Sequence, residues 1–288
     1  MPLTPGLLYL LASVSCSVTV AVLLKLARRH GIDVRQAIAG NYAIAALLCW
    51  LTLVPEPARA IAGIQSWPLL LALCVLMPSV FLAMAQSVRY AGIVRSDAAQ
   101  RLSLFIPLLA AFALFGETVT LHKLLAILLA FAALACVLRR PRDEDGPAAP
   151  GGSAWVWPLA VWIGYGVIDV LFKTLARTGT AFAGALLAIF VLAGLLTVAY
   201  LLARRVQWQV RSLGAGLVLG VFNFGNILTY IKAHQSLPGN PALVFASMNM
   251  GVIALGTLVG ALAFREKLSG LNLLGLVLAL ASILAMMP

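Results

Sequence analysis

The side chains able to do chemistry in this chain are few, and they sit inside long apolar runs. Asp97 and Arg101 are four residues apart in "VRSDAAQRLSLFIP", which puts them on one face of a helix. Tyr165, Asp169 and Lys173 recur at that spacing in "WIGYGVIDVLFKTLA", with Trp162 close to the stripe. Asn223, Asn226 and Tyr230 follow at i, i+3 and i+7 in "NFGNILTY". Gln86 with Arg89, and Ser247 with Asn249 in "FASMNMG", complete the set. Acid, base, amide and phenol groups in such stripes suit the holding of a polar or zwitterionic solute and the exchange of a proton with it. The signatures of bond-breaking chemistry are wanting. The chain has no HExxH, no GxSxG and no Walker-type glycine loop, and His30, His122 and His234 stand isolated at the ends of apolar runs. Cys16, Cys49, Cys74 and Cys136 lie apart inside apolar windows without metal-ligand spacing, and read as packing residues. No catalytic residue, metal site or enzyme activity is therefore expected. Without a nucleotide site, any solute movement must be gradient-driven or downhill.

The elements that carry these groups follow from composition. Of 288 residues 62% are hydrophobic and 10% charged, and the mean hydropathy is +1.03, the signature of an integral membrane protein. A helix crosses the hydrocarbon with roughly 20 mainly apolar residues. Windows of that kind fall near 5–26, 35–54, 67–88, 93–115, 121–138, 154–174, 180–202, 211–233, 240–262 and 269–287. The expected class is thus all-α, with about ten transmembrane helices and no separate soluble domain. The opening segment reads as a first span, since no basic region precedes its apolar run. A charge at mid-bilayer costs at least about 2.5 kcal/mol, so ionisable groups there face a cavity or a partner. Arg101 lies about 12 Å inside a span that starts at Ile93. Two readings stand for it: it borders a watery cavity with Asp97 as partner, or its long side chain snorkels back to the interface. The asparagines at mid-depth line a ligand face or hydrogen-bond between helices. Ser13 and Ser17 read as packing residues, and Glu117 and Glu266 as interfacial caps before the fifth and tenth spans.

A formal net charge of +11 raises the question of nucleic acid, but the basic residues cluster at span ends without interleaved stacking aromatics. They read as topology signals, with anionic lipid as the natural partner. The stretch "RRPRDEDGPAAPGGS", residues 139–153, reads as a linker between residues 1–138 and 154–288. Sliding the halves by 149 positions lays Phe115 and Glu117 over Phe264 and Glu266, and "LLKLARRHG" from Leu23 echoes "LFKTLARTG" from Leu171 with one gap. Five spans per half would set the second half upside down, as two inverted repeats. Thirteen Lys and Arg residues fall at one set of loops and four at the other. The richer set is expected to be cytoplasmic, which places both termini outside a cell inner (plasma) membrane.

The stretches "PLLAAFALFGE" (Pro107 to Glu117) and "LGTLVGALAFREK" (Leu255 to Lys267), each followed by a short helix-forming segment, resemble the drug/metabolite transporter superfamily of the EamA-like, ten-span type. The resemblance implies a secondary transporter with a central cavity between the halves and no soluble cofactor. Its solutes would be small polar metabolites such as amino acids, or drugs, moved by alternating access, with efflux and proton coupling as expectations. A monomer is compatible with this. A lipid-linked sugar flippase and a membrane-embedded enzyme of lipid metabolism stand as alternatives; the second would need a clustered acid, His or Ser site.

Overall fold

The computed structural model describes residues 5–54, 62, 64, 66–107, 109–110, 121–138, 155–178, 181–237 and 241–285. Among these residues the chain forms ten helices: α1 Pro5–Arg29, α2 Val34–Leu53, α3 Trp67–Tyr90, α4 Ile93–Leu102, α5 Leu121–Leu138, α6 Val156–Arg177, α7 Phe182–Ala203, α8 Val210–Ser236, α9 Pro241–Phe264 and α10 Gly270–Ala285. Seven of them (α1–α3 and α6–α9) are long and apolar enough to cross a membrane, while Leu124–Val137 and Gly270–Ala285 are shorter apolar helices. This is the all-α membrane architecture the composition calls for. Large apolar side chains such as Leu51, Val75, Leu195 and Leu262 are exposed around the bundle, whereas Ser13, Gln36, Asn41, Arg95 and Asp97 are buried. That inversion of the soluble pattern is what a hydrocarbon solvent favours, because only the bundle interior offers hydrogen-bond partners.

The helices pack in related pairs. α1 lies against α8 as α6 lies against α3; α2 meets α8 as α7 meets α3; α1 meets α9 as α6 meets α4. Adding or subtracting five converts each pair into the other, and α2–α7, α4–α9 and α5–α10 convert into themselves. The tightest seam joins α2 to α8. There Gly216 and Gly220, four apart, face Ala37 and Asn41: a Cβ on Gly220 would sit 2.6 Å from the Asn41 carbonyl, and one on Gly40 2.6 Å from that of Leu213. Small residues at this spacing let two backbones touch, which is how helices gain packing energy in lipid.

The fourth span departs from the continuous helix expected over 93–115. α4 ends at Leu102, a turn occupies Ser103 and Leu104, and helix resumes at Phe105. Pro107 is the physical cause: it has no N–H to offer the Ser103 carbonyl, so Ile106 N–H bonds Ser103 at 2.9 Å instead. Leu102 thereby loses its intrahelical donor, and the indole N–H of Trp162 on α6 takes its carbonyl at 3.0 Å. Removing that donor in Trp162→Phe leaves a carbonyl unsatisfied, at about 1–2 kcal/mol. We expect the melting temperature to fall by about 3–5 °C in detergent. An unchanged value would show that water serves the carbonyl equally well.

Candidate functional site

α4 carries the charged groups because its sequence interrupts an apolar span with "RSDAAQR" before the break at Ser103. Arg101 points to α1, where its Nη2 donates to Ser17 Oγ at 2.7 Å, while its Nε is buried without a hydrogen-bond partner. Asp97 is 2% exposed, and its Oδ2, also without a partner, lies against α9 where Gly256 leaves room for it. The two side chains thus share a helical face without touching as an ion pair. Arg101 stands within electrostatic reach of Asp97, Tyr165, Asp169 and Tyr230, so groups from α4, α6 and α8 converge on one guanidinium.

Beside it is a small cavity of about 30 Å³ lined by polar Ser17, Gln100, Tyr165, Asn223 and Asn226 and by apolar residues including Phe81 and Met84. Such a space holds about two waters. Asn223 and Asn226 serve a second purpose: Asn223 Nδ2 donates to Asn41 Oδ1 at 3.0 Å, and Ser13 Oγ donates to Asn226 Oδ1 at 2.8 Å. Both tie α8 to the first-half helices, the interhelical bond foreseen as one alternative, while the same two residues line the cavity. Asp169 is exposed although protein surrounds it on most sides. Tyr230 is half-buried and stacks edge-on to His234 at 4.7 Å. Lys173 is half-buried with contacts of its own.

Of the expected residues, Tyr165, Asn223 and Asn226 line the cavity; Asp97, Arg101, Asp169, Lys173, Tyr230, Gln86 and Asn249 do not, and the last two have other surroundings. Gln86 is half-buried on α3, next to Ser87, whose hydroxyl bonds Ser96 on α4 at 2.6 Å. Asn249 turns back on its own helix, its Nδ2 donating to the Phe245 carbonyl at 2.9 Å. Conversely, Ser17 was expected to be a packing residue and instead meets Arg101 and the cavity. Gln100 also lines the cavity, and its place directly before Arg101 in the sequence was the available signal.

The basic ends of the helices are tied by a second polar constellation. Glu266, in the turn between α9 and α10, accepts from the backbone N–H of Ile93 at 2.8 Å and of Val94 at 3.1 Å, and pairs with Lys25 of α1. Lys25 also lies over the Phe264 ring at 4.8 Å. Gly92, at φ +92°, brings the start of α4 close enough for this: a Cβ there would meet Glu266 Oε2 at 2.7 Å. Glu266 therefore does cap a helix, but the helix is α4 and not α10. The start of α10 is served by Ser269 and Asn272, each side chain accepting from the other's backbone N–H at 3.2 Å. Glu117, its counterpart by sequence, lies outside the described residues.

Nearby, the start of α2 is bound to the start of α8. Gln36 donates to the Gln207 carbonyl at 2.9 Å and accepts from Gln209 N–H at 2.8 Å, and Asp33 N–H donates to Ser212 at 2.9 Å. Burial works against the charge of the Asp33 carboxyl, but hydrogen bonds from the Arg35 side chain and backbone outweigh it and hold that carboxyl below the ordinary aspartate range.

Among the described residues no group of three or more His, Cys, Asp or Glu side chains could hold a metal ion. What converges is a set of hydrogen-bonding groups around one cation.

An uncharacterized protein of Haemophilus influenzae is 49% identical over 279 residues, covering 95% of each chain. A solved crystal structure matches with a TM-score of 0.62 over 97% of this chain and 95% of its own; at 16% identity it speaks for the fold alone. The model of the EamA-like transporter family matches residues 4–139. With its apolar helix bundle and its polar centre, the chain belongs to the EamA-like transporter family, whose members are multi-pass membrane transporters of the drug/metabolite type.

Proposed function

We propose that this protein is a secondary transporter that moves small polar metabolites, amino acids or similar, or drugs, by alternating access at the Arg101 site. The observation that carries this reading is a guanidinium deep in the fourth span that, among the described residues, touches a serine hydroxyl and no carboxylate, beside a polar cavity. A charge so placed is expensive unless something else uses it. A solute's anionic group is the natural counterpart for its fork of donors. Asp169, exposed on α6, would meet a cationic end, and buried Asp97 is the carboxyl that would take up or give a proton as solute passes.

Residues 1–138 and 154–288 act in this reading as two inverted five-helix repeats joined by the 139–153 linker. The exchange of packing pairs on adding five to each helix number supports that inversion. The ties at Glu266 and Gln36 join elements of different halves at the basic ends. They would close that face, while exposed Asp169 looks toward the other. By its Lys and Arg bias the basic face is cytoplasmic and the membrane is the inner one, so the direction fits efflux collected from the cytoplasm and released outside.

Proteoliposomes loaded with candidate amino acids, sugars or cationic drugs test the function. Solute movement without chemical change, lost in Arg101→Ala, is the expected result; product formation, or transport unaffected by that change, would refute it. Sidedness has its own test. A reporter fused after Pro288 is expected to be active only as a periplasmic type, and cytoplasmic activity would reverse the assignment while leaving the fold untouched.

A further inference from the structure

The outer flank of the bundle holds a groove of about 320 Å³ between α1, α2 and α8 at their basic ends. Its floor is apolar, with Leu24, Ala37 and Leu219 buried beneath it, and Val218 on its wall is 48% exposed. Its charged rim is cationic: Arg211, exposed in the first turn of α8, with His30 beside the end of α1. Among the described residues no acidic side chain lines it. The neighbouring Asp33 carboxylate is already held by Arg35 Nε and Nη2 at 3.0 and 2.9 Å. The lining shares no residue with the central cavity, so this groove is no extension of the transport site.

We propose that the groove is a binding site for one anionic glycerophospholipid of the leaflet at the basic face. The chemistry is complementary along its length: acyl chain against leucine, alanine and valine, phosphate headgroup against Arg211. The occupant is a lipid because the groove opens on a flank that faces hydrocarbon, where lipid is the surrounding solvent. A basic rim between transmembrane helices then selects the anionic headgroup from that solvent. Bound there, the lipid bridges α1 and α8, and so contacts both halves next to the closed face.

The test is a titration of the full-length protein by native mass spectrometry with dioleoyl phosphatidylglycerol and dioleoyl phosphatidylcholine. One molecule of the anionic lipid should bind about fivefold tighter than the zwitterionic one, the advantage expected of a single cation near the membrane surface. Arg211→Gln should bring the two affinities together by weakening the anionic lipid alone. Ala215→Trp should fill the groove and weaken both; if that variant does not fold, Val218→Trp on the exposed wall replaces it. Equal affinities in the parent, or a preference that survives Arg211→Gln, would overturn the proposal. So would anionic binding that survives the groove-filling change, since it would mark general surface attraction. Glycerol phosphate should fail to compete; full displacement by it would identify a free-phosphate site and also refute the lipid assignment.

Discussion

Replacing Glu266 by glutamine is expected to open the basic face, and a cysteine at Val94 should then react with an impermeant maleimide from that side roughly 100-fold faster than in the parent. The carboxylate is 9% exposed and satisfies two backbone N–H groups and Lys25 at once. Glutamine removes the counter-charge of Lys25 and puts an NH₂ where one carboxylate oxygen stood: with its oxygen kept at the Oε1 position it still accepts from Ile93, but the Val94 N–H then faces a donor. Breaking a buried, hydrogen-bonded pair costs about 3 kcal/mol. This cost falls only on the state in which the tie is made, and each 1.4 kcal/mol is tenfold in an equilibrium. Val94 suits the reporter because it is 2% exposed and packs against Gly260, beneath the tie. The measurement uses a background in which Cys16, Cys49, Cys74 and Cys136 are replaced. Lys25→Met should shift reactivity in the same direction by less, because Glu266 keeps its bonds to α4. Unchanged protection in both variants would show that the tie is structural and that the face is closed by other contacts.

The second large effect concerns Arg101. Arg101→Ala and the exchange Asp97→Arg with Arg101→Asp should each reduce transport at least about 100-fold, the loss typical of a contact between a desolvated charge and its ligand. An exchange restores function only when the two groups hold each other, and here Arg101 holds Ser17 while Asp97 Oδ2 fits against Gly256. Arginine at 97 would have to occupy the space that Gly256 leaves for a carboxylate. Ser17→Ala should cost about tenfold, since the guanidinium keeps its charge and loses one neutral partner. Initial rates in proteoliposomes, normalised to folded protein, decide the matter. Recovery of a tenth or more of parent transport by the exchange would reinstate the pair as a gate whose partners meet in another state.

Much of this was legible in the sequence, for reasons that also mark where legibility stopped. Composition reveals helices in lipid because twenty apolar residues have few other fates, and the depth of Arg101, Asn223 and Asn226 in their spans placed them near the bundle centre. Periodicity specifies a face, however, and never the partner. Asn249 lies on a plausible polar face yet bonds the turn before it, a choice fixed by local rotamer geometry. Ser17 looked like a small packing residue until α4 brought a guanidinium to it. Glu266 was recognisable as a cap, but the helix it caps begins 173 residues earlier in the chain, a proximity that only the packing of α9 on α4 creates. Lys25 had left a trace, because the echo between "LLKLARRHG" and "LFKTLARTG" put a lysine in both copies.

The glycine seam between α2 and α8 sets a mechanical rule for all of this. Backbone resting on backbone leaves no flexible side chains to stretch, so the helices roll about that line far more readily than they part. In the proposed transport cycle the seam would be a fulcrum, and the polar ties at Glu266 and Gln36 catches at the ends of the levers. Under the proposed alternating access, releasing one catch would alter which side of the membrane is served, whereas a wedge driven in beside Gly216 would halt the traffic on both.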